Sequence, residues 1–172
     1  AYDERPARAL HTGRKMTAER LAVLLGAAVA PTPFAKDALY RTDTAPVGGD
    51  PLHHAGAYYM QEPSAMLPVL CAEIRAGERV LDLCAAPGGK STQIANRIGD
   101  RGLLVSNEYV PNRCVTLAGN LERMGVRSAV VTRTDAPTLA ATYPGFFDAV
   151  VIDAPCSGEG MFRREEIAVA EW

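Results

Sequence analysis

The chain has 172 residues, about one domain and a little more. Its globular make-up, 48% hydrophobic and 22% charged with 15 Gly and 12 Pro, excludes a disordered tail, a collagen-like repeat and a disulfide-stapled miniprotein. Eighteen Lys and Arg against 20 Asp and Glu leave a formal charge of −2, spread evenly along the chain, so an RNA partner has to be held by a local patch or by a segment outside this chain.

The longest apolar stretch, Leu21 to Pro33, is short of the ~20 residues that span a bilayer, and no membrane partner is expected. Asp3, Glu4, Arg5, Arg8, Arg14 and Lys15 crowd the first twenty residues, which therefore do not read as a secretion signal. The four cysteines, Cys71, Cys84, Cys114 and Cys156, form no CxxC pair, and His53–His54 has no third ligand nearby. Neither zinc nor any other metal is expected, and free thiols point to the cytoplasm.

In chain order, Thr17 caps a predicted helix with Leu21, Leu24, Leu25 and Ala28 at helical spacing. Frequent Pro and Gly then break the chain up to Gly48–Pro51, which predicts a small N-terminal α+β subdomain over 1–50 and a second unit over 51–172. Pro63 starts a predicted helix reaching about Ile74. Arg79–Cys84 reads as a buried strand, about Lys90–Ile98 as a helix, Gly102–Glu108 as the second strand, and Pro111–Met124 as the next helix. Further strands are predicted at about Ser128–Arg133 and at Phe147–Asp153. Strands alternating with helices predict an α/β fold with a parallel sheet in the order 3-2-1-4. Ligands of such sheets lie beyond the carboxyl ends of the strands.

Those ends carry the chemistry. Cys84, Ala85, Ala86, Pro87, Gly88, Gly89 and Lys90 form a small-residue turn opening a helix, where backbone N–H groups face a ligand. Gly89-Lys90-Ser91 supplies half of a phosphate-binding P-loop, but Cys84 stands where the first glycine would be, and no GxGxxG is present. A nucleoside without pyrophosphate, such as S-adenosylmethionine, needs no full phosphate cradle. Glu108, 20 residues after Gly88 at a strand end, is placed to accept two ribose hydroxyls, which a P-loop protein does not need. Asp135 reads either as a partner for an adenine amino group or as a turn residue before Pro137. Asp153-Ala154-Pro155-Cys156-Ser157-Gly158 ends an apolar strand in a rigid loop bearing an acid and a thiol, or else is a plain turn.

Val80 through Gln93, Asp153 through Gly158, Gly158 through Arg164, Tyr58 through Met66 and Asn107 through Arg113 together resemble the RNA cytosine-5 methyltransferase (NOL/NOP/Sun) family. Within it they resemble the bacterial branch acting on small-subunit ribosomal RNA. The resemblance is looser over 1–50, where Ala9–Gly13 departs from the pattern. It implies a class I, Rossmann-like fold and S-adenosylmethionine as cofactor, held by Cys84 through Lys90, Glu108, Asp135 and Asp153. It also implies methyl transfer to C5 of a cytosine activated by thiolate addition at C6. Cys156 would resolve the adduct, Asp153 would stabilise charge on the ring, and Arg163 and Arg164 would touch RNA, with Arg5, Arg8, Arg14 and Lys15 as a weaker patch. The attacking cysteine of such enzymes follows a later strand, so the resemblance implies that it lies beyond Trp172 and that the four-stranded sheet is incomplete. Three other readings are a Cys156 nucleophile as in DNA cytosine methyltransferases, a non-catalytic cofactor-binding fragment, and a P-loop nucleotide binder.

Overall fold

The computed structural model describes residues 8–44 and 46–155. Two four-stranded sheets organise them. The first contains β1 (Ala9–Thr12), β2 (Val29–Pro31), β3 (Ala38–Arg41) and β4 (Tyr58–Gln61), ordered β2-β3-β1-β4 and antiparallel throughout. Helix α1 (Ala18–Leu25) starts where the Thr17 hydroxyl accepts from the Arg20 N–H. It stops at Gly26, whose φ of 60° leaves the helical region, and the chain passes into a short 3₁₀ turn at Gly26–Ala28. Leu10, Leu21, Leu39 and Tyr58 are buried together as the core of this layer. Beyond Gly48–Pro51 comes the four-residue helix α2 (Pro51–His54), which carries His53 and His54, and then β4. β4 rejoins the first sheet because Thr12↔Tyr58 through Ala9↔Gln61 pair along its length.

After helix α3 (Pro63–Cys71) the pattern becomes β5 (Arg79–Asp82), α4 (Gly89–Ile98), β6 (Leu103–Asn107), α5 (Pro111–Arg123), β7 (Ala129–Thr132), α6 (Ala136–Thr142) and β8 (Ala149–Val151). The order β7-β6-β5-β8, all parallel, is the arrangement expected from the sequence. Pro63 and Pro111 sit in the first turns of α3 and α5, where a missing N–H costs nothing. Val80, Ile94, Ile98, Leu104, Leu117 and Leu121 fill the space between the sheet and its helices. The central strands are buried on both faces, which is why they read as continuous apolar runs.

The two layers join along α4 and the end of α5. Asn96 Nδ2 donates to the Thr12 carbonyl at 2.6 Å, and Arg123 Nη1 donates to the His53 carbonyl at 2.7 Å. His11, buried and stacked on Tyr59, lies 3.2 Å from the Thr92 hydroxyl. Among the described residues no helix is long and apolar enough to cross a membrane.

Candidate active site

The carboxyl ends of β5, β6 and β7 surround a cavity of about 370 Å³. Its walls include Leu83, Cys84, Glu108, Val110, Arg113 and Pro155, so one face is apolar and a carboxylate closes the other. Glu108 is 4% exposed. Its Oε1 accepts from the Val110 N–H at 2.9 Å, and its Oε2 lies 3.4 Å from Arg113 Nη1. Both oxygens of this buried side chain are thereby partnered. Arg113 Nη2 also donates to the Ala86 carbonyl, which ties the strand-end acid to the glycine-rich turn.

Asn107 fixes the rest of the rim. Its amide donates to the carbonyls of Leu83 and Thr134, and its Oδ1 accepts from the Thr132 hydroxyl and the Thr134 N–H. One side chain at the end of β6 thus ties together the loops that follow β5 and β7. Asp135 also borders the cavity, yet its Oδ1 accepts from the Thr138 N–H at 2.8 Å and caps α6. That bond holds its carboxyl below the usual range. The helix it caps was not legible in the sequence.

Through the turn, Gly88 adopts φ 113° and Gly89 opens α4. A Cβ at Gly89 would stand 3.1 Å from the Tyr59 ring and 3.2 Å from the Gln61 side chain, so β4 of the first sheet braces the turn from behind. This support was missed in the sequence, where β4 lay in a stretch without a clear period. Lys90 Nζ reaches Asp153 Oδ2 at 2.6 Å, from a lysine 14% exposed to a carboxylate 61% exposed. It does not line the cavity, as a phosphate-gripping lysine would. Beneath this pair lies fully buried Asp82, with Oδ2 accepting from the Ser91 hydroxyl at 2.7 Å and Oδ1 without a partner. Burial pushes its carboxyl up to about 6. Asp82 was also missed; the signal was an acid at the close of the apolar run Val80-Leu81.

Cys84 is half-buried, and burial, reinforced by the charges of Glu108 and Asp82, pushes its thiol up, away from thiolate. Cys71 is exposed at the end of α3, and Cys114 is half-buried on α5. Cys156, Arg163 and Arg164 lie outside the described residues, as does Arg5. Arg8 donates to the Asp43 carbonyl, and Arg14 pairs with Asp100. Among the described residues no group of three or more His, Cys, Asp or Glu is arranged to hold a metal ion.

The cavity suits a nucleoside. A buried strand-end carboxylate matches a pair of hydroxyls, an apolar wall matches a base, and among the described residues no phosphate cradle opens into it. The structure resembles that of a methyltransferase homolog protein from Pyrococcus horikoshii, with a TM-score of 0.84 and 26% identity over 98% of this chain and 57% of that one. Sheet order, turn and strand-end acid define the class: a Rossmann-like, S-adenosylmethionine-dependent methyltransferase fold. Residues 69–170 match the family described as 16S rRNA methyltransferase RsmB/F. The chain belongs to that family. It is 44% identical over 132 residues to the ribosomal RNA small subunit methyltransferase F of Enterobacter sp. (strain 638), covering 76% of this chain and 28% of that protein. To the protein of the same name from Shigella dysenteriae serotype 1 it is 38% identical over 159 residues, covering 89% of this chain and 33% of that protein. The chain thus spans about a third of the length of these curated relatives.

Proposed function

We propose that the chain forms the cofactor-binding part of an enzyme that methylates C5 of a cytosine in small-subunit ribosomal RNA. The observation that carries this reading is Glu108, buried at the end of β6 in the wall of the cavity, with Val110 and Arg113 beside its two oxygens. In this reading Glu108 binds the ribose hydroxyls of S-adenosylmethionine, and the backbone from Cys84 through Lys90 faces its methionine part. Asp135 borders the adenine while capping α6. When bound, that cofactor supplies an electrophilic methyl group.

The rest is the work of side chains on the base. A thiolate adds to C6 of an unstacked cytosine, and the electron pair reaches C5, which becomes enamine-like and forms the new carbon–carbon bond. A base then removes the C5 proton, and the C6–S bond breaks to restore the ring and the thiolate. Asp153 stabilises charge developing at the N3 edge, and the Lys90 contact supports this by fixing where that carboxylate stands. Cys156 serves in release of the adduct, in keeping with the family pattern. The raised Cys84 thiol argues against that residue as the attacking group. A cytoplasmic location goes with this substrate.

Calorimetry with S-adenosylhomocysteine tests the cofactor half. Glu108→Ala should weaken binding by about 1.5–3 kcal/mol, the worth of a hydrogen bond to a charged group. Unchanged affinity would remove Glu108 from the site. Nucleoside analysis of small-subunit RNA incubated with the enzyme and labelled cofactor tests the chemistry: the label should appear in 5-methylcytidine, and label on another atom would overturn the C5 assignment.

A further inference from the structure

Away from the cofactor cavity, the seam between the two sheets carries two clefts that share Arg14. One, of about 520 Å³, is bordered by Phe34, Lys36 and Arg97 among others. The other, of about 230 Å³, is bordered by Lys15, Arg123 and Arg127. Six cations drawn from four separate parts of the chain meet there, in a protein whose net charge is −2. Two carboxylates accompany them, Asp37 in the wall of the larger cleft and Asp100 paired with Arg14 at 2.5 Å. The smaller cleft has four cations and no acid in its lining.

Folding does not account for all of this charge. Arg123 is held by the carbonyls of His53 and Tyr58, which fixes its guanidinium at the seam. Lys15 and Arg127, by contrast, are exposed and make no hydrogen bond or ion pair with another described residue. The Nε of Arg97 is buried without a partner. Like charges gathered without counter-ions raise the energy of the free protein, and a polyanion relieves it.

We propose that this seam is a track for the phosphate backbone of the substrate RNA, separate from the pocket that takes the target base. The proposal rests on the RNA-methyltransferase reading above. Geometry favours a long ligand. Arg97 and Arg123 lie in the last turns of α4 and α5, at the end of the sheet opposite the cofactor cavity. The ten residues of α4 alone span about 15 Å. A free phosphate occupies one point, whereas a strand engages cations strung over two clefts. Phe34, half-buried in the larger cleft, adds a ring on which an unpaired base stacks.

The test is fluorescence anisotropy with a fluorescein-labelled fragment of bacterial small-subunit ribosomal RNA, titrated over a range of salt. The double substitution Lys15→Gln, Arg127→Gln should weaken binding several-fold and reduce the slope of log K against log salt by about 2, one for each lost phosphate contact. S-adenosylhomocysteine affinity should stay unchanged. Arg20→Gln with Arg75→Gln removes the same charge from exposed positions outside the clefts and should leave the slope as it was. RNA binding whose slope ignores the first pair, or responds equally to both pairs, overturns the track and leaves the RNA reading standing. A wild-type chain that binds S-adenosylhomocysteine but no RNA at low salt overturns the track, whereas the RNA reading itself falls only if the labelled-cofactor assay above leaves small-subunit RNA unmethylated.

Discussion

Asp82 and Glu108 end adjacent parallel strands and are both buried, yet the fold gives their carboxyl groups different partners. Glu108 has a backbone N–H and a guanidinium beside it. Asp82 has the Ser91 hydroxyl on one oxygen and nothing on the other, so desolvation outweighs the help from Ser91 and Lys90 and pushes its carboxyl up to about 6. The folded state therefore holds this proton more tightly than the unfolded chain, whose Asp titrates near 4. Stability falls as pH rises from about 4 to about 6, and the loss is complete above that window. At about 1.4 kcal/mol per pKa unit, the change amounts to roughly 3 kcal/mol. Asp82→Asn keeps an acceptor for Ser91 and cannot ionise. Denaturant midpoints measured across this range should fall for the wild type and lose that component in the variant, which should be the more stable protein near neutral pH. Parallel profiles for the two proteins would mean that Asp82 carries no desolvated charge.

Elements meet most closely where Gly56 turns into β4. Its φ is +70°, and a Cβ there would collide with the Arg123 carbonyl at the end of α5; a Cβ on Gly13 would collide in turn with the Gly56 carbonyl. Gly77 has a φ of +89° but open space around it. Gly77→Ala should therefore cost only the left-handed backbone, about 1–2 kcal/mol, whereas Gly56→Ala adds overpacking and should cost a further 1–3 kcal/mol or so. Urea unfolding of both variants reads the difference, and equal costs would mean that the two layers do not approach so tightly. The same contrast explains which elements were legible beforehand. Arg79–Asp82 and Ala149–Val151 stood out as apolar runs, and Pro63 and Pro111 marked helix starts, because those signals are local. The first sheet was hidden because its strands are three or four residues long and paired at a distance, as Ala9↔Gln61 is. β1 is buried at all four positions, so it has no alternation to read. Spacing did place the turn and Glu108 at strand ends, where the structure has them beside one cavity. The Tyr59 and Gln61 brace was not legible, since it depends on one sheet packing against the other.

Taken as a molecule, the protein places its glycine-rich turn on one layer and the support for that turn on the other, which couples the folding of the two layers. Polar links cross the seam in addition to the packing, among them His11 with Thr92, Asn96 with the Thr12 carbonyl, Arg14 with Asp100, and Arg123 with the carbonyls of His53 and Tyr58. Native-state hydrogen exchange measures this coupling, because elements that open together share one opening free energy. Amides of Leu10 and Leu39 in the first sheet should exchange with the same free energy as those of Val80 and Leu104 in the second. Arg123→Ala removes a donor from the Tyr58 carbonyl and one of two from the His53 carbonyl, which still accepts from the Gly56 N–H, and costs about 1–3 kcal/mol where a buried carbonyl is left without a partner. The loss falls on the seam, so the first sheet should open before the second, with its exchange free energy dropping while Val80 and Leu104 keep theirs. The affinity for S-adenosylhomocysteine should fall with it, since a turn without its brace samples conformations that do not bind. Separate opening free energies already present in the wild type would show the layers to be independent, and the bracing of the turn by β4 would then play no part in cofactor binding.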